Sequence, residues 1–130
     1  MLRTVILFML TITFALTLSV NAETESFYQG ICANLLKGKT EVYLSDKTRI
    51  DILTETEAIE VDFARKWAEG IGQALHYSTM TQRHAGLILI IEEESDARFV
   101  KRVQDIIRIK SLRISLYTID KTTQTLTRIE

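Results

Sequence analysis

The sequence predicts an α/β domain with elements in the order αβββαβαβ, a mixed sheet flanked by helices. Three observations carry that expectation. Residues 87–91, Leu-Ile-Leu-Ile-Ile, are apolar at every position, the pattern of a central strand covered on both faces. Two runs ahead of it, Arg49–Leu53 and 58–63, alternate apolar and polar side chains with the period of a pleated strand. Between and around these strands, apolar residues recur at helical spacing.

Taken in order, Ser26 caps a first helix whose inward stripe is Phe27, Ile31 and Leu35 and whose end is Gly38. Cys32 beside that stripe reads as a packed thiol, because no histidine is placed to activate it. Lys37 and Lys39 make a small basic corner around Gly38. Residues 41–44 form the first strand and 45–48 a turn. Arg49–Leu53 is the second strand, 54–57 a turn and 58–63 the third strand. A helix follows over 64–81, with Trp67, Ile71, Ala74, Leu75 and Ser78 toward the sheet. A neighbouring stripe of Lys66, Gly70, Gln73 and Tyr77 runs along the sheet edge. Gly70 and Gly72 weaken a helix, so their presence implies close packing on the sheet.

Beyond the central strand, Glu92, Glu93 and Glu94 read as a solvated strand end. Ser95 caps a third helix with Phe99, Val103, Ile106 and Ile107 inward and Lys101, Arg102, Arg108 and Lys110 outward. Leu112, Ile114, Leu116 and Ile119 form a last strand, and polar residues 122–130 are expected to fray.

At 130 residues, 46% hydrophobic and 25% charged, the chain is long enough for one core and no more. A formal charge of −1 argues against a protein that coats nucleic acid, though not against one that touches a few phosphates. Arg3 followed by an apolar stretch and Val20-Asn21-Ala22 fits a secretory signal over residues 1–22. Cleavage after Ala22 leaves a single domain over 23–130, with 15 basic and 17 acidic residues, in the periplasm or secreted. The alternative is a membrane anchor formed by residues 4–20, left uncleaved. One cysteine permits no intrachain disulfide.

Chemistry concentrates on the second and third strands. If these pair as a hairpin, Ile50 and Ile52 fall on one face, while Asp51, Glu60 and Asp62 converge on one patch. Three carboxylates beside an apolar sheet repel one another and lose hydration. A divalent cation is the natural compensation, since hard cations take several oxygen ligands. His76 and His84 straddle the end of the second helix and form no ligand pair; both read as surface residues.

Asp51, then Glu60-Val61-Asp62, then a helix carrying Gln73, resembles the PD-(D/E)xK, or restriction-endonuclease-like, nuclease superfamily. The phrases 48–54 and 66–75 look like a small bacterial branch of it, and the resemblance spans about 27–119. It implies a restriction-endonuclease-like core and a Mg2+- or Mn2+-dependent phosphodiesterase. By that resemblance Asp51 and Glu60 are metal ligands, the Val61 carbonyl completes the site, and Gln73 bonds the site or substrate. Ile50 stands at the motif's proline and Asp62 at its lysine. Either Lys66 supplies the migrated ammonium or Asp62 is a third ligand; Glu41 is a weaker outer candidate. The implied partners are nucleic acid, DNA ahead of RNA, and a second copy of the chain. The alternative is a nuclease fold without catalysis, serving as a binding or structural module.

Overall fold

The computed structural model describes residues 23–129, so the expected leader lies outside the described residues. One six-stranded sheet runs in chain order, β1 (Lys39–Tyr43), β2 (Arg49–Leu53), β3 (Glu57–Phe63), β4 (His84–Ile91), β5 (Ile114–Asp120) and β6 (Leu126–Ile129). β3, β4 and β5 are parallel, while β1–β2, β2–β3 and β5–β6 are antiparallel, so the sheet is mixed. β4 sits between two parallel neighbours, and Leu87, Ile88, Leu89 and Ile90 are fully buried. The doubly apolar run therefore has the cover it requires.

Three helices supply that cover. α1 (Glu25–Leu36) closes one face, where Tyr28, Cys32 and Ala33 pack with Ile52, Ile59, Val61, Ile88, Ile90 and Ile119. α2 (Trp67–Thr81), entered through a 3-10 turn at Ala64–Lys66, and α3 (Ala97–Ile109) close the other. There Ala74, Val103, Leu87, Leu89 and Leu116 form the core, with Trp67, Ile71, Leu75 and Phe99 packed against it. A Cβ on Gly70 would stand 2.9 Å from Leu87 Cδ1; the close approach of α2 to β4 depends on its absence. Gly72 has open space instead.

Several sequence expectations are corrected here. The buried stripe of α1 is Tyr28, Cys32 and Ala33, while Phe27 and Leu35 are exposed. The inward face of the helix is thus turned by one position from the expected one. Its N-cap is Thr24, not Ser26, and Lys37, not Gly38, takes the left-handed C-terminal conformation at φ 56°. Gly38 meets a packing demand instead, because a Cβ there would lie 2.5 Å from Ile52 Cγ2. At the start of α3, Glu93 and Asp96 form a reciprocal capping box and Ser95 only donates to Glu93 Oε1. Val100 rather than Ile106 joins the core from α3. Ser78 donates its hydroxyl to the Arg83 carbonyl, at 2.6 Å. Residues 122–130 do not fray throughout, because Leu126–Ile129 pairs with β5. Asp120 Oδ1 accepts from the Thr122 and Thr123 N–H groups at 2.8 Å and folds the turn between them. No helix among the described residues is long and apolar enough to cross a membrane.

Candidate functional site

The site begins with a defect in the sheet. β1 and β2 pair at Thr40–Ile52 and Val42–Ile50, but between them Glu41 adopts a left-handed φ of 56° opposite Asp51. The register is the same on either side, so no residue is inserted; the left-handed residue interrupts the pleat without a bulge. Ile52 joins the core beneath α1, whereas Ile50 packs with Ala58 and Tyr77 beneath α2. The expectation that Ile50 and Ile52 share a face therefore fails. The β2–β3 ladder pairs Ile52 with Ile59 and Leu53 with Ala58, and stops there. Past that point the Asp51 carboxylate accepts the Val61 N–H at 2.8 Å. A side chain thus satisfies a backbone donor where the strands have parted.

That parting opens a cleft of about 560 Å³ whose lining includes Asp51, Glu60, Val61 and Asp62 from the sheet. α2 contributes Gln73, His76 and Tyr77, Lys66 comes from the turn before it, and α1 contributes Glu25 and Gln29. The three sheet carboxylates, Lys66 and Gln73 all meet here, as the sequence leads one to expect. Glu41 does not; it pairs with Arg49 at 3.6 Å. Nor does the 92–94 acidic run, since Glu92 pairs with Arg65 and Glu93 caps the next turn. His76 is at the cleft rather than idle on the surface, its Nε2 2.7 Å from Asp46 Oδ2 and 3.3 Å from Thr48 Oγ1.

Burial sets the electrostatics. Asp51, Glu60 and Asp62 are 7%, 5% and 2% exposed. Desolvation pushes the Glu60 carboxyl up to about 10, and the adjacent Asp51, as charge and as hydrogen-bond partner, pushes the same way. Asp62 rises to about 7, first by desolvation and then through Glu25, with Lys66 opposing. Asp51 also rises through desolvation, offset by the Val61 N–H bond. Tyr77 is raised by burial and by the charge of Glu60. Burial and the neighbouring Asp51 thus both favour the protonated form of Glu60.

Lys66 brings a cation to the cleft wall, with Nζ 3.5 Å from Asp62 Oδ1 and 3.6 Å from Glu25 Oε2. Two carboxylate oxygens, Glu60 Oε2 and Glu25 Oε2, are buried with no hydrogen-bond partner among the described residues. Buried carboxyl oxygens without a hydrogen-bond partner, in a cluster whose candidate ligands are all oxygens, fit a hard divalent cation such as Mg2+ better than zinc or copper. Among the described residues, however, no three His, Cys, Asp or Glu side chains already stand as a metal-holding group. Cation binding would have to draw the carboxylates together.

The sequence pattern did not mark Glu25 or Gln29, and it placed Tyr77 on the stripe along the sheet edge without a role. Glu25 sits in the first turn of α1, four residues before Gln29, so both lie on one helix face. Nothing in the pattern told which strand that face would meet. Cys32, fully buried with its thiol pushed up to about 12 by desolvation, is inert packing, as expected. No protein-family model, curated protein or solved structure matches this chain; its function has to be argued from this cleft.

Proposed function

We propose that the chain is a metal-dependent phosphodiesterase of the PD-(D/E)xK type acting on nucleic acid. The observation that carries the reading is the set of three buried carboxylates, Asp51, Glu60 and Asp62, lining one open cleft with the Lys66 ammonium among them. Burial of this kind is costly and has no use in a stabilising core. It is what a site for a divalent cation and a reacting phosphate needs. Asp51 and Glu60 are assigned as ligands, with Asp62 beside them. A bound Mg2+ or Mn2+ would supply charge neutralisation on the phosphate and a more acidic water.

The protein's own groups do the rest. Lys66 ends the turn that leads into α2 and is half exposed at the cleft wall. Its ammonium can orient a water or neutralise a phosphate oxygen, the role of the lysine whose motif position is held here by Asp62. Gln73, on the same helix, offers an amide to substrate or to Tyr77. The Val61 N–H, one peptide unit before the Val61 carbonyl, is held by Asp51.

A second reading has its own support. Lys66 is engaged by two carboxylates, and no metal-holding group is preformed among the described residues; a nuclease fold that has lost catalysis and binds a partner would show the same. Cleavage assays on single-stranded, double-stranded and branched DNA and on RNA separate the two. We expect product only with Mg2+ or Mn2+, abolished by chelator and by Asp51→Asn. A protein that binds the ion and cleaves none of these belongs to the second reading. The restriction-endonuclease-like core, export from the cytoplasm and pairing of two copies remain parts of this proposal.

A further inference from the structure

Resting on the phosphodiesterase reading, one feature of the same cleft points to its substrate. Tyr43, the last residue of edge strand β1, is 71% exposed, more than any other large apolar side chain among the described residues. It lines the cleft, and directly across the β1–β2 register stands Arg49, also half exposed and also lining the cleft. Cross-strand partners project to the same face. An exposed aromatic ring and a guanidinium thus sit side by side at the mouth of a carboxylate-floored cleft. The β1–β2 turn beneath them is held in place, since Asp46 accepts from the Thr48 N–H at 3.0 Å and contacts His76 of α2.

We propose that Tyr43 and Arg49 form a seat for one unpaired nucleotide, the ring stacking on its base and the guanidinium meeting its phosphate, so that the substrate is a single strand or an unpaired end. Two arguments favour this over a duplex. Within a duplex each base face is covered by its neighbours, and a tyrosine ring has nothing to stack on; an unpaired base presents that face freely. A cleft of about 560 Å³ also has the volume of a single small ligand, and the chain's net charge of −1 gives no broad basic track for two phosphate backbones.

The test is fluorescence anisotropy of the full chain with labelled oligothymidylate, oligouridylate and a duplex, each about 12 nucleotides long, which is within single-strand site sizes. Ca2+ is used during binding and Mg2+ in parallel cleavage assays. The single strands should bind at least about tenfold more tightly than the duplex, and Tyr43→Ala should weaken them roughly 5- to 100-fold while Tyr43→Phe does not. Arg49→Ala should flatten the salt dependence by about one in slope. The oligothymidylate and oligouridylate arms tell DNA from RNA. Metal-dependent cleavage that prefers the duplex, or is indifferent to Tyr43→Ala, overturns this inference and leaves the phosphodiesterase reading standing. Absence of both metal-dependent cleavage and single-strand binding overturns the two together. Tyr43 is exposed on an edge strand, so its replacement does not threaten the fold.

Discussion

Glu60→Gln should melt higher than the unaltered protein in chelator at pH 8, by about 10 °C or more. The Glu60 carboxyl is raised from its ordinary 4.5 to about 10 by burial and by Asp51. Between those two values the native state holds a proton that the unfolded chain has released. Only folding requires that proton to be taken up, so stability falls as pH rises across the window. Asp62, raised from 3.8 to about 7, adds a second decline that is complete by neutral pH. Each tenfold difference in proton affinity between the two states is worth about 1.4 kcal/mol. About 1 kcal/mol moves the midpoint of a domain this size by roughly 4–8 °C. A glutamine fills the same volume without titrating. The variant should therefore lose most of the decline between about pH 5 and pH 9. Thermal melts in chelator across that range check it, and a Glu60→Gln curve parallel to the original would mean that Glu60 is solvated.

Lys66→Ala should lower turnover on a cleaved substrate by about a hundredfold or more, the scale of a lost general acid–base or orienting group. The geometry makes this separable from folding. Lys66 is half exposed, so its removal leaves no cavity, but it takes away the ammonium that faces Asp62 and Glu25. The variant should melt slightly lower in chelator and still rise with Mg2+, since a bound cation replaces the lost charge. Lys66→Arg should recover the melting temperature more fully than the rate, because a planar guanidinium is a poor geometric match for an ammonium. Full activity in Lys66→Ala would show that Asp62 has taken over the motif position without a lysine.

The sheet was legible in the sequence wherever a strand had one clear period. Leu87–Ile90 announced a central strand because apolar residues on both faces admit no other place. The shared face of Glu60 and Asp62 was legible too, because alternation along β3 fixes it; Asp51 joins them through its bond to the Val61 N–H, where the alternation of β2 breaks. What was hidden follows from rules that act across the chain. The left-handed Glu41 leaves no signal in a strand whose residues are common ones, and the period of β2 does not show that Ile50 and Ile52 pack in different clusters. β6 was missed because it only partly buries one residue on each face, Leu126 beneath α1 and Ile129 beside α3, so it shows no stripe at all. Glu25 could not be placed because a helix period gives a face and not the strand it covers. Its entry into the site depends on the parting of β2 from β3, a tertiary event.

Proton-linked calorimetry of Mg2+ or Mn2+ binding tests the central idea, that a proton now occupies the place a divalent cation would take. Titrations near pH 7 in buffers of different ionisation enthalpy count the protons released as the ion binds. About one ion per chain should bind with release of about one proton or more, and both should be lost in Glu60→Gln. Binding without proton release, or binding that survives unchanged in Glu60→Gln, would contradict it.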